Sequence, residues 1–479
     1  MTEPWELTAV DALRAFRERT LSPVELMAST IARAEVVERT VHAFAETRFD
    51  EAMERARRAE ERYARGGPVR PLEGLPVALK EETPLKGWRH TLGSLVFRDR
   101  VATTTAPVAE RIVRAGGIVH ATTTTPELSC TVVTHSRLWG ITRNPWNPSL
   151  GVGGSSGGSA AALAAGTAML ANGSDIGGSI RLPASACGVV GFKPPHGRVP
   201  VDPPYNLDRY CHEGPLARTV ADAALLQNVL AGPHPADVTT LRPKVRVPSV
   251  PGGIEGWRIG LSTDLGTYEV AEEVAACVRA VGGALAEAGA TVEDVSLPWS
   301  LEELTRAARA HYATIFGADI EALIAEHADD LCDYTLAWGE EIRAGRTGPD
   351  AFLRGLEIEA AAYRPLGELF RTYRAIVCPT WAVAGVPAGD PWLGRTSRLD
   401  GGPYDRQYET VLTTPFNVLS ACPVLVVPAG TAAAGAPVGV QVVARPYDDA
   451  AAFRVGAAIE RARPWTRIAA SIPPPAGDG

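Results

Sequence analysis

Two glycine-rich loops, separated by one alanine-rich helix and one short apolar run, are the feature that most restricts how this chain folds. The first is Gly151 to Gly158, the helix is Ser159 to Ala165, the run is Thr167 to Ala171, and the second loop is Gly173 to Ser179. Glycine and alanine at this density let backbones approach closely, and glycine alone turns freely into left-handed conformations. Neither loop resembles a flexible linker, because apolar segments flank both closely. Upstream, Leu75-Pro-Val-Ala-Leu-Lys80 reads as a strand, Pro107 to Ala115 as a helix stopped by Gly116-Gly117, and Ile118 to Thr122 as the next strand. Strands alternating with helices at this spacing predict an α/β sheet covered by helices.

The rest of the chain frames this centre. Residues 1 to 65 read as helices, one of them announced by Ser22-Pro23-Val24-Glu25, which offers an N-cap, a proline in the first turn and a capping-box glutamate. A proline-rich stretch from Pro233 to Gly253 marks the best internal boundary. Beyond it the pattern predicts a strand at Arg258 to Ser262, helices at Glu272 to Ala288, Leu301 to Ile324 and Ala351 to Tyr373, and strands at Ala375 to Pro379, Val424 to Val427 and Val438 to Ala444. The closing Ile472-Pro-Pro-Pro-Ala-Gly-Asp-Gly is expected to be disordered. The expected division is a helical appendage over 1–65, a catalytic domain over 66–470 and a tail over 471–479.

Composition removes several classes of function. A net charge of -8 without a basic run argues against nucleic acid as a partner. No window approaches the ~18 unbroken apolar residues of a membrane span, and the N-terminus lacks the basic start and apolar stretch of a signal peptide, so a cytoplasmic location is expected. Seven cysteines without a CxxC pair, and nine histidines without an HExxH, point to neither a disulfide framework nor a metal site.

Lysine occurs only at Lys80, Lys86, Lys193 and Lys244, against 43 arginines. An arginine cannot give up its proton in a protein, whereas a desolvated lysine can. Lys80, at the end of an apolar strand, is therefore a candidate base. The first glycine loop could cradle a phosphate, but no Lys-Ser/Thr follows as a Walker loop requires. It also matches Gly-x-Ser-x-Gly around Ser155 and Ser156, the nucleophile elbow of α/β-hydrolases, yet the preceding Asn147 to Val152 is no buried strand. In the second loop, Gly177 and Gly178 free the backbone to turn successive N–H groups toward one point before the Ser179 hydroxyl, as an oxyanion requires.

The runs Gly153-Gly-Ser-Ser-Gly-Gly-Ser-Ala-Ala-Ala162 and Asp175-Ile-Gly-Gly-Ser-Ile-Arg-Leu-Pro-Ala184 resemble the amidase signature family. So, in order, do Leu75 to Lys80, Thr142 to Pro148, Gly188 to Pro194, Gly197 to Val199, Gly214 to Thr219 and Pro437 to Val443, so that the resemblance spans roughly residues 5 to 465. It implies a single large α/β domain around a mixed twisted sheet of ten or more strands. It implies also a catalytic set in which Ser179 attacks, Ser155, after a cis peptide bond, relays the proton, and Lys80 accepts it. The N–H groups of Ile176, Gly177, Gly178 and Ser179 would be the oxyanion donors, and no cofactor or metal is implied.

The chemistry is coherent in its own right, since a serine hydroxyl becomes a nucleophile when a neighbouring base takes its proton, and a lysine does so only as the neutral amine. One departure from the family is the pair Glu81-Glu82 after Lys80, where the family often has aspartate directly after the lysine. If the strand continues past Lys80, Glu81 faces away by the period of two and Glu82 returns to the Lys80 face, where a carboxylate favours the ammonium form. Asp175 and Arg181 read as a structural pair holding the nucleophile loop, and Lys193 as structural too. His135, His196 and His212 could meet in space, without a motif to support a histidine-based triad.

Variable segments line the acyl pocket in the family. Here Tyr205, Tyr210, Tyr312, Phe316 and Trp381 are the expected contributors, and their character predicts an uncharged aryl or alkyl amide as substrate. A carbamate or ester cut by the same acyl-enzyme route is the alternative, and the amidase component of a tRNA-dependent amidotransferase is a more distant one. The expected partner is the small-molecule substrate alone, with no nucleic acid and no membrane, for a monomer or homodimer.

Overall fold

Five residues, Pro76–Lys80, form a strand with every side chain buried, as an apolar run without polar alternation requires of a strand covered on both faces. Around it the computed structural model builds one mixed sheet. It describes residues 3–248, 252–345, 348, 350–390, 409–469 and 472, with the backbone of 396, 397, 403 and 404.

The strands of this sheet are β1 (Phe44–Thr47), β2 (Pro76–Lys80), β3 (Ile118–Thr123), β4 (Leu170–Asp175), β5 (Val190–Lys193), β6 (His212–Ala217), β7 (Arg258–Leu261), β8 (Thr291–Asp294), β9 (Ala375–Pro379), β10 (Val424–Thr431) and β11 (Pro437–Ala444). Their spatial order is β1-β3-β2-β4-β6-β5-β10-β11-β9-β7-β8. β2 runs parallel to both β3 and β4, whereas β4, β6, β5, β10, β11 and β9 are successively antiparallel. The chain forms the expected single α/β domain, and its mixed sheet has eleven strands where ten or more were expected.

The first 65 residues contain more than helices. The capping box at Ser22 is present, its hydroxyl accepting from the Glu25 N–H while the Glu25 carboxylate accepts from the Ser22 N–H at 2.8 Å. Between the helices, β1 pairs antiparallel with β3 and joins the edge of the main sheet. Four residues with a single phenylalanine are too few for a period-2 signal, which is why the strand escapes a reading of the sequence.

Other boundaries moved for identifiable reasons. β4 extends to Asp175, so the second glycine loop starts at Ile176 instead of Gly173: Gly173 and Ser174 pair with Gly214 and Glu213 of β6. The single helix expected over Leu301 to Ile324 is two, α1 (Leu301–Ile315) and α2 (Gly317–His327), separated at Phe316. The tail expected to be disordered falls outside the described residues, apart from residue 472.

Helix α3, placed earlier in the chain at Gly157–Ala165, is buried at every position. A helix built only of Gly, Ser, Ala and one Leu presents no bulky face, so it can lie in the core between the sheet and its neighbours. It carries the first glycine loop at its N-terminus and fixes where Ser155 sits.

Candidate active site

Lys80 closes β2 and is fully buried. β2 and β4 pair only at Val77–Leu170 and Ala78–Ala171. Beyond that the strands part, and the Asn172 side chain replaces the ladder by accepting from the Lys80 N–H at 2.9 Å. Asn172 itself donates to Thr83 Oγ1 at 2.8 Å and to Glu213 Oε2 at 3.2 Å. Lys80 Nζ donates to Ser155 Oγ at 2.7 Å and to Ser174 Oγ at 2.8 Å.

Ser155 follows a cis peptide bond from Gly154. Glycine is needed before it because a Cβ there would lie 2.5 Å from the Val133 carbonyl oxygen. The loop is tied to the second glycine loop by the Ser156 N–H, which donates to the Ser179 carbonyl at 3.1 Å. Ser155 and Ser179 line one cavity, and their hydroxyls are not hydrogen-bonded to each other among the described contacts.

The Ser179 loop is organised from behind by Asp175. Its carboxylate accepts from the N–H groups of Gly178 at 3.0 Å and Ile180 at 3.2 Å, and forms a buried ion pair with Arg181. Burial alone would raise this carboxyl, but the Arg181 guanidinium, hydrogen bonds from Arg181 and Asn417, and the Lys193 charge hold it well below the usual carboxylate range. Asp175 and Arg181 are thus a structural pair, as the sequence suggests. The Gly178 N–H, one of the four expected oxyanion donors, is bonded to Asp175 Oδ1. Tyr312 Oη supports the same loop by donating to the Ile176 carbonyl at 2.9 Å.

β2 ends at Lys80, and the two glutamates after it lie in a turn closed by the Thr83 N–H, which donates to the Lys80 carbonyl at 2.8 Å. Glu81 turns away to accept the Thr91 N–H, and burial raises it to about 7. Glu82 comes back, its Oε2 2.5 Å from Lys80 Nζ. Burial would raise the Glu82 carboxyl, but Lys80 and hydrogen bonds from Lys80, Ser129 and Ser174 keep it below its ordinary value.

A cavity of about 660 Å³ opens over these groups, lined by Tyr205, Tyr312 and Phe316 as expected. Tyr210 and Trp381 do not line it. Tyr210 stacks on His311 with centroids 3.8 Å apart, and Trp381 is buried with its indole N–H on Thr410 Oγ1 at 3.2 Å; both fill core positions beside the site. The cavity instead takes Leu92, Phe97, Leu128, Ile320, Leu323 and Trp338, from segments far apart in the chain. His196 and His212 do meet, at 6.4 Å between centroids, while His135 packs on Tyr334. Lys193 lies buried near His212, where burial and the Arg181 charge lower it to about 7. No grouping of three or more potential metal ligands occurs among the described residues, and no described helix is long and apolar enough to cross a membrane.

The model of the family described as Amidase matches residues 25–453. The chain belongs to the amidase signature family. As a member, it is an amide-hydrolysing enzyme. This amidase is 32% identical to an acylamidase of Rhodococcus erythropolis, over 96% of each chain. It is 33% identical to a glutamyl-tRNA(Gln) amidotransferase subunit of Chloroflexus aurantiacus, over 97% of this chain and 98% of that one. Among solved structures, a bacterial aryl acylamidase of the same family superposes with a TM-score of 0.89 at 30% identity, covering 96% of this chain and 97% of that chain.

Proposed function

We propose that this amidase cleaves the carboxamide bond of an uncharged aryl or alkyl amide through an acyl-enzyme on Ser179. The observation that carries the reading is the Lys80 Nζ to Ser155 Oγ hydrogen bond at 2.7 Å, set in the wall of a largely apolar cavity that Ser179 also lines. In the acylation step Ser179 Oγ bonds to the substrate carbonyl carbon as its proton moves to Ser155 Oγ and the Ser155 proton moves to Lys80 Nζ. The N–H groups of Ile176, Gly177 and Ser179 meet the oxyanion. Return of the proton through Ser155 to the amine nitrogen releases the leaving group, and water repeats the sequence to free the acid. The backbone bond between Ser156 and Ser179 supports the required approach of the two hydroxyls.

The lining favours a neutral acyl group. Tyr205, Tyr312, Phe316 and Trp338 form its aromatic wall, and Asp202, Asp319 and Glu326 would repel a substrate carboxylate. The acylamidase relatives support this reading, and a carbamate or ester fits the same route. The amidotransferase relatives support a second reading, in which a partner chain uses the released ammonia. The deciding experiment is incubation of the purified chain with 4-nitroacetanilide, together with labelling by a fluorophosphonate and peptide mapping. Release of 4-nitroaniline and a single adduct on Ser179 are expected. A label on another residue overturns the assignment, and lack of turnover on any simple amide favours the amidotransferase reading.

A further inference from the structure

Glu82 makes contacts that the proton relay does not need. Its carboxylate touches Lys80 Nζ at 2.5 Å, accepts from Ser174 Oγ at 3.2 Å and accepts from Ser129 Oγ at 2.5 Å. Ser129 is placed there by an unusual turn, since both it and Leu128 are non-glycine residues with left-handed φ, 55° and 53°. That turn is anchored by buried Glu127, which accepts from Ser94 Oγ, Thr335 Oγ1 and the Cys332 N–H at 2.6–2.8 Å. The protein thus builds a three-donor seat for one carboxylate directly against the amine.

We propose that Glu82 is a positioning residue acting through Lys80: its charge holds the ammonium form in the resting enzyme and so sets the pH above which acyl transfer runs. This rests on the reading of Lys80 as the base. Other groups face the same space. Glu213 approaches from β6, Asp202 and Cys211 from the loop before it, and His90 touches the Glu82 carbonyl at 3.0 Å with Arg100 beside it. Burial, Glu82 and Asp202 raise Glu213 to about 8, so near neutrality it carries a proton. Glu82, kept ionised, is then the main source of negative charge against the amine. An opposite charge at this range favours the charged form of its neighbour.

The test is kcat/KM on 4-nitroacetanilide from pH 5.5 to 10.5 for the wild type, Glu82→Gln, Glu82→Ser and Glu82→Asp, each checked for folding by circular dichroism. The wild type should rise from acid to an alkaline plateau. Normalised to their own plateaus, the Gln and Ser variants should have an acid limb at least one pH unit lower, and therefore about tenfold more relative activity on that limb. The Asp variant, which keeps the charge, should stay within half a unit of the wild type. A flat wild-type profile, or an acid limb that stays put or moves upward in whichever of the Gln and Ser variants folds, overturns the proposal. Should Lys80→Ala keep the plateau rate, it is the base reading that fails; with Lys80→Ala inactive and the limb unmoved, the failure is that of Glu82 alone.

Discussion

Arg181 Nη2 meets Asp175 Oδ1 at 2.8 Å, with neither side chain exposed to solvent. The same guanidinium donates to the Thr413 carbonyl, Gln441 and Asn417, so it joins the Ser179 loop to two distant segments. Removing one partner of such a pair leaves a buried charge without compensation. Arg181→Ala should cost about 3–5 kcal/mol of stability by that principle, measured as a shift in the urea midpoint. A change near zero would show that the loop holds itself.

Lys80→Ala should abolish turnover while leaving the far-ultraviolet dichroism of the wild type. Lys80→Arg should be no better, since a guanidinium stays protonated and cannot accept the serine proton. Initial rates on 4-nitroacetanilide decide it, and recovery with arginine would exclude the base role.

Gly154→Ala places a methyl group 2.5 Å from the Val133 carbonyl oxygen, closer than such atoms approach. The backbone before Ser155 must move to admit it. Because misplacement by about 1 Å can cost about 10²-fold in rate, kcat should fall by that order. Fluorophosphonate labelling of Ser179 should slow in parallel.

Tyr312→Phe removes the hydroxyl that donates to the Ile176 carbonyl at 2.9 Å. A neutral hydrogen bond contributes about 1 kcal/mol net, so a loss of roughly fivefold in kcat/KM is expected, with the fold intact.

Glu213 stays protonated to about 8 in the folded chain, against an ordinary value near 4.5. Its sign is that of a raised group: the stability it contributes is full below about 4.5 and is lost as the pH climbs through about 8. Thermal midpoints at pH 5, 7 and 9 should therefore fall less steeply for Glu213→Gln than for the wild type. Parallel declines would mean that the carboxyl is already ionised at neutrality.

The part of the site carried by local pattern was legible, and the part assembled at long range was not. Lys80, Ser155, Ser179 and the Asp175–Arg181 pair each belong to a contiguous motif, whereas the strand period does not place Glu81 and Glu82, because β2 stops at Lys80 and a turn sends the two carboxylates to opposite sides. Nothing local marks Leu92 or Trp338 as neighbours of Tyr312, because only tertiary packing brings them to one cavity. Tyr210 and Trp381 failed as pocket residues for the complementary reason: an aromatic near the site can equally fill the core behind it. β6 was not foreseen as a strand either, since Glu213 and Pro215 interrupt any apolar alternation, and its pairing with β4 is what shortens the second glycine loop.

The parting of β2 from β4 after Ala78–Ala171 has a consequence for where chemistry can occur. Neighbouring strands in a closed ladder lie about 4.8 Å apart, too near to admit a side chain between them. Asn172 acts as a spacer that holds a slot open within the sheet, so that the Lys80 amine reaches Ser155 and Ser174 from the sheet itself. The proposed reaction centre, embedded in this way, would inherit its precision from the main scaffold and leave the surrounding aromatic walls free to diverge toward different substrates.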